Sequence, residues 1–188
     1  MAAIVQIDDC EFAPALLTGA DVLAMTREGI LPEGRGYELI EGVLVEMAAR
    51  YDPHVRMVNT LIRRLIRIVP EEFAVSPTPS IFLTGNTMLE PDICLYPDDM
   101  ESQDVRGGDI LLAIEVSDTT LRKDLGMKAR LYAEHGVAHY WVIDVSGSVL
   151  HRHSDPAGKA YRDVVKSPFD QAVAMPFDKA VSIVLADL

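Results

Sequence analysis

Aromatic side chains are scarce in this 188-residue sequence, at 6% of positions, so its core must be built mostly from aliphatic side chains. Only two cysteines occur, Cys10 and Cys94. Their separation fits no zinc-ligand spacing, and two are too few for a disulfide-stapled scaffold. Cys94 stands in the apolar run ICLY and reads as a small buried side chain. A reducing, cytoplasmic compartment is expected. No apolar stretch approaches the roughly 20 residues a membrane helix needs. The opening MAAIVQIDDCEFAPALL has no early Lys or Arg and carries acids where a signal peptide would be apolar, so no targeting segment is expected. Cations are also outnumbered: 17 Lys and Arg against 29 Asp and Glu give a net charge of -12. Such a chain repels polyanions overall. A phosphate-bearing ligand would have to be held locally, by clustered basic residues or through a bound cation.

What is present suits one α/β domain of ordinary globular composition, covering residues 1–188. There is no repeat, low-complexity tract or long linker. Residues 21–28 (DVLAMTRE) read as a short helix stopped near Gly29. Residues 37–47 (YELIEGVLVEM) read as two short strands around a turn at Glu41 and Gly42. The longest helical pattern is 53–69, where Val55, Val58, Ile62, Leu65, Ile66 and Val69 recur at three- and four-residue steps. Pro53 suits its start and Pro70 its end. Strands are expected at 74–83, broken by Pro77 and Pro79, and at 92–96, followed by an acidic loop over 97–109. Residues 110–116 (ILLAIEV) form an apolar run suited to a central strand covered on both faces. A helix over 121–135, stopped by Gly136, and a strand over 139–145 complete a βαβ unit. Later strands are expected at 149–154, 161–167 and 181–188. The sum is a central mixed sheet flanked by helices.

Three residues break these patterns. Glu115 interrupts an otherwise apolar strand. It either ends that strand at the surface or is buried, and a buried carboxylate must be paired or bound to metal. Asp92 follows Pro91 and opens the strand ICLY, where it is either a turn residue or a second inward acid. Lys128, at about 100° per residue, falls in the same arc of its helix as Leu121, Leu125 and Tyr132. Lys123, Arg130 and Glu134 fall on the opposite, solvent side. Lys128 therefore either snorkels from the edge of the apolar stripe, paired with Asp124, or points at the sheet. Two inward carboxylates with a lysine between them suit Mg²⁺ or Mn²⁺. Such an ion lowers the pKa of a bound water and offsets charge developing on a phosphate.

The segments YELIEGVLVEM, PDICLYP and AIEVSDTTLRKDLGMKARLYAEHGVAHYWVIDV, together with a helix beginning near His54, resemble the Uma2 (DUF820) family. That family belongs to the PD-(D/E)XK nuclease-like superfamily, and the resemblance covers residues 37–145. It implies a restriction-endonuclease-like core with the metal site where the sheet splays. It implies Asp92 and Glu115 as metal ligands, the backbone carbonyl of Val116 as a further one, and Glu38 of the YEL segment as an additional acid. In the usual superfamily motif a lysine lies two residues after the acid. Here Ser117 holds that place, and the family's displaced lysine matches Lys128. His54 matches a family histidine near the site or is only a polar residue at a helix start. Asp124 caps or pairs within its helix and orients Lys128.

His151 and His153 alternate on one strand face and read as surface residues, with metal binding as the alternative. Arg56, Arg63, Arg64 and Arg67 either track a phosphate backbone or form a solvated face, the reading slightly preferred. The function expected is a Mg²⁺- or Mn²⁺-dependent endonuclease acting on nucleic acid, DNA above all. The alternatives are a non-catalytic, dimeric interaction protein of the same fold, which the charge of -12 favours, and a hydrolase of a small phosphate ester. The several terminal strands leave exposed edges through which a homodimer can form.

Overall fold

The structure, a computed structural model, describes residues 15–48 and 51–188. Cys10 and most of the opening segment lie outside them. In chain order the elements are α1 (Gly19–Arg27), β1 (Tyr37–Ile40), β2 (Val43–Glu46), α2 (Asp52–Leu65), β3 (Phe73–Pro77), β4 (Ile81–Thr84), β5 (Thr87–Leu89) and β6 (Ile93–Pro97). There follow β7 (Leu112–Ser117), α3 (Leu121–Lys123), a π turn (Asp124–Lys128) and α4 (Ala129–Glu134). Last come β8 (His139–Asp144), β9 (Val149–Ala157), β10 (Ala160–Pro168), β11 (Val173–Ala174) and β12 (Ser182–Ile183).

Local chemistry explains several boundaries. Thr18 and Asp21 form a reciprocal capping box, so α1 starts before the acid rather than at it. Glu41 and Gly42, at φ 51° and 86°, make the tight β1–β2 turn, where two left-handed residues match the twist of the strands. After α4 the Gly136 amide donates to Ala133 and the Val137 amide to Tyr132, the helix-ending pattern that a left-handed glycine permits.

Six strands form the main sheet in the order β10-β9-β8-β7-β6-β3, and β2-β1-β5-β4 form a second sheet. Within the main sheet β7 and β8 are parallel, and the other pairs are antiparallel. The expected βαβ unit is therefore present, its crossover made by α3, the π turn and α4. Side chains of β7 alternate. Leu112, Ile114 and Val116 pack with Leu61 and Leu65 of α2, whereas Ala113 packs with Tyr132 of α4 and with Ile40, Ile81 and Leu89 of the second sheet. Both faces are covered, and all six β7 residues are buried. The alternation sets Glu115 on the α4 side.

Some expected elements fall differently. Residues 74–83 are two strands in two sheets. The chain turns through Thr78, whose φ is 50° between two prolines, and β3 ends at the main sheet's edge, where a proline is tolerated. The three-residue β5 has no periodicity to announce it. On α2 the buried stripe centres on Leu61 and Leu65, while Val55 and Ile66 are exposed. The final apolar run yields only a two-residue strand and a short 3-10 turn, Leu185–Asp187. His151 and His153 are buried, not surface residues. His153 Nδ1 lies 3.2 Å from the Tyr140 carbonyl, and its ring packs against Tyr140 and Tyr161. Burial pushes both histidines below the ordinary imidazole value. Cys94 is buried and unbridged as expected. No helix among the described residues is long and apolar enough to cross a membrane.

Candidate active site

The β6–β7 register pairs Ile93 with Ile114 and Leu95 with Leu112. One step further along that register sets Asp92 opposite Glu115, at the end of the paired strands. Both are buried at 4% exposure, which decides against the surface reading of Glu115, and Asp92 stands at a bend just before β6 with its side chain buried. The Val116 amide donates to Asp92 Oδ2 at 2.8 Å, and His54 Nε2 lies 3.0 Å from the same oxygen. His54 comes from the first turn of α2, so the helix entry and the strand end are joined at one carboxylate.

Lys128 reaches the same place from the π turn. Its Nζ lies 2.7 Å from Glu115 Oε1 and 2.8 Å from Glu38 Oε1, with the side chain only 3% exposed. It does not snorkel. Glu38, wholly buried on β1, takes Lys123 Nζ on its other oxygen at 2.5 Å. The Tyr132 hydroxyl donates to Glu115 Oε1 at 3.2 Å. Residues far apart in sequence are thus gathered by two sheets and one helix.

Asp124 pairs at the start of its own helix, as one reading expected, and with the end of β7. It accepts from Ser117 Oγ at 2.9 Å and from Thr120 Oγ1 at 2.5 Å, and no hydrogen bond joins it to Lys128 among the described residues. Its side chain ties the end of β7 to the turn that starts the helix. The turn itself is π-type: the Ala129 amide donates to the Asp124 carbonyl five residues back, and the Tyr140 hydroxyl donates to that same carbonyl. Such turns recur at functional sites, because the extra residue re-aims nearby side chains. Ser117, at the usual lysine position, is held by Asp124.

Sequence reasoning missed two members. Lys123 was expected on the solvent side yet is bonded to Glu38. Tyr132 was read only as apolar stripe, although its place four residues beyond Lys128 was the available sign.

The electrostatics are lopsided. Four buried acids, Glu38, Asp92, Glu115 and Asp124, face Lys128 and Lys123. Burial pushes the Glu115 carboxyl up to about 8, against the pull of Lys128 and with the repulsion of the other three acids added. Burial also pushes Glu38 up, but Lys128 and Lys123 outweigh it and hold that carboxyl below the ordinary value. For Lys128 the penalty of burial is overcome by Glu115, Glu38 and Asp124, and its ammonium titrates above the ordinary value.

These residues line a cavity of ≈ 60 Å³ with Tyr51, Asp118 and Thr119 at its margin. A cavity of this size has room for a hydrated ion. Among the described residues no three His, Cys, Asp or Glu side chains converge as metal ligands. Among the described residues that line the cavity, the Asp92 and Glu115 carboxylates can ligate, with His54, Asp118 and Asp124 beside them. Few protein oxygens plus several waters is the donor set of Mg²⁺ rather than Zn²⁺. Among the described residues the buried His54 Nδ1 has no hydrogen-bond partner, which leaves the site a polar atom to spare.

The fold is shared with the crystal structure of a putative nuclease belonging to DUF820 from Anabaena variabilis. The TM-score is 0.69 at 16% identity, over 91% of this chain and 96% of that one. At that identity the likeness establishes the fold alone, and it agrees with the restriction-endonuclease-like core expected from the motifs. No curated protein matches the chain. The family model Uma2, described as "Putative restriction endonuclease", matches residues 21–182. Over that span, which takes in every residue of the site above, the chain belongs to the Uma2 family.

Proposed function

We propose that this chain is a divalent-metal-dependent endonuclease that hydrolyses phosphodiester bonds of nucleic acid, DNA above all. Residues 1–188 act in it as a single domain. The observation that carries this reading is a buried lysine held by two carboxylates beside a second pair of acids, in a cavity sized for an ion and water.

Asp92, Glu115 and the Val116 carbonyl would hold Mg²⁺ or Mn²⁺. The ion, when bound, acidifies a water and offsets charge on the phosphate. The chain's own residues do the rest. Lys128 has three N–H donors. Two are spent on Glu38 and Glu115, which fixes the third relative to the cavity. That donor orients the attacking water or stabilises charge growing on phosphorus oxygens. Glu38 keeps Lys128 protonated and in place. Tyr132 fixes the Glu115 carboxylate from behind, and His54 does the same for Asp92, as outer partners of metal ligands do.

The test is cleavage of supercoiled plasmid and of single-stranded DNA with Mg²⁺ or Mn²⁺, comparing wild type with Lys128→Ala and Asp92→Ala. Cutting lost in both variants, with circular dichroism unchanged, supports the reading. Cutting that survives both changes removes the site assignment. One second reading, hydrolysis of a small phosphate ester, tolerates the net charge of -12. Steep weakening of activity with salt belongs to DNA contacts and not to a small ester.

A further inference from the structure

Helix α2 and the turn after it carry Arg56, Arg63, Arg64 and Arg67, all exposed. The helix buries Leu61 and Leu65 completely. At about 100° per residue, Arg56 and Arg63 fall within an arc of about 20° opposite those leucines, and Arg67 follows in the turn after the helix. At 1.5 Å per residue Arg56 and Arg63 stand about 10 Å apart along the axis.

Among the described residues none of these four arginines has an acid partner, and Arg63 donates only to Thr60 Oγ1 at 3.1 Å. Arg35, Arg130 and Arg162 are taken up by Glu46, by Glu41 and Glu134, and by Asp155, whereas Arg27, Arg122, Lys166 and Lys179, like the ridge, have no acid partner among the described residues. What sets the ridge apart is that its arginines cluster on one helix. The nearest acids along the chain, Asp52, Glu71 and Glu72, stand at the two ends of the ridge and do not interrupt it. At physiological salt the Debye length is about 8 Å, so the acids of the far surface barely reach it. The ridge is locally cationic despite the charge of the whole.

His54, two residues before Arg56, bonds Asp92, so the first turn of α2 borders the site, while the ridge occupies the outer face of the helix, turned away from His54. Tyr51, immediately before α2, lines the cavity margin while 61% exposed. A surface groove of ≈ 500 Å³ beside the first turns of α2 is lined by Arg56 and Thr60 together with Asp52, Pro53, Met57 and Leu188.

We infer that the exposed ridge of α2 is a nucleic-acid backbone track, with Arg56, Arg63 and Arg67 contacting phosphates on one side of the scissile bond. Tyr51 offers its ring to the first base beyond that bond, since an exposed aromatic stacks on any base. The assignment rests on the nuclease reading and deepens it.

The experiment is anisotropy of a labelled DNA oligonucleotide, with Ca²⁺ supplied, over a salt series. Wild type is compared with Arg63→Ala/Arg67→Ala and with Arg162→Ala, which removes a cation outside the ridge. The double variant is expected to bind about tenfold more weakly at ~0.15 M salt, and its log–log salt slope should fall by about 2, one per lost phosphate contact. Arg162→Ala should match wild type. An unchanged slope in the double variant, or an equal fall in Arg162→Ala, overturns the track. Plasmid cutting separates the two proposals. If wild type cuts while the ridge variants bind normally, the track is wrong and the nuclease stands. Ridge-dependent binding without cutting supports the track and removes the nuclease. Neither binding nor cutting removes both.

Discussion

Lys128 Nζ and Glu115 Oε1 lie 2.7 Å apart in a setting where both side chains are almost wholly buried. Glu38 adds a second acid at 2.8 Å. Removing one partner of a buried pair costs about 3–5 kcal/mol, because the other is left uncompensated. Lys128→Met should therefore destabilise the fold as well as abolish cutting. The cost should depend on pH, since Glu115 and Glu38 can escape by taking up protons in acid. Urea denaturation is expected to show a smaller loss at pH 5 than at pH 8. An equal loss at both would mean that the carboxylates do not depend on this ammonium.

A second prediction concerns the alkaline side of the stability curve. Glu115 titrates near 8 when folded and near 4.5 when unfolded. Its folded value is raised, so its contribution is fully present below about 4.5 and is lost as pH climbs through 8. Glu38 works in the opposite direction. Its folded value is depressed, so its contribution is present above the ordinary carboxylate value and is lost as pH falls through the folded one. In EDTA the melting temperature of wild type should decline between pH 5 and 8.5, and Glu115→Gln should flatten that decline. A parallel decline in the variant would place the titrating group elsewhere.

Much of this was legible from residue patterns. The apolar run around Glu115 suited a strand covered on both faces, and helical phase put Lys128 within the apolar arc, but neither pattern told whether the acid and the lysine turn inward or reach solvent. The π turn was not legible. It depends on a Tyr140 hydroxyl reaching the Asp124 carbonyl from a strand 16 residues later, a tertiary bond that no local pattern encodes. The same holds for the tilt of α2. Val55 and Ile66 satisfied the periodicity as well as Leu61 did, and only packing against β7 selected Leu61. The burial of His151 and His153 likewise comes from elements packed over β9, not from β9 itself.

Divalent cation binding should be coupled to protons. A metal at Asp92 and Glu115 needs both as carboxylates, and Glu115 holds its proton to about 8. Titration with Mn²⁺ should release protons at pH 6.5 and fewer at pH 9, with affinity rising between them. Calorimetry in two buffers of different ionisation enthalpy reads the proton count directly. Uptake of Mn²⁺ with no proton release at pH 6.5 would exclude Glu115 as a ligand.

His54 provides the most discriminating substitution, because it touches the site without being one of its ligating acids. Its Nε2 contacts Asp92 Oδ2, which also takes the Val116 amide. If His54 only caps a helix, His54→Ala should cost a little stability and leave metal affinity alone. If it orients Asp92, Mn²⁺ affinity should fall about 10–100-fold, the usual effect of losing an outer partner of a ligand. His54→Gln should recover part of that loss, because its amide can donate to the same oxygen. The second outcome is expected, since the Asp92 contact falls on the one imidazole nitrogen that has a partner while Nδ1 stays buried without one. Calorimetry on the three proteins decides it, and equal affinities would reduce His54 to a helix-start residue.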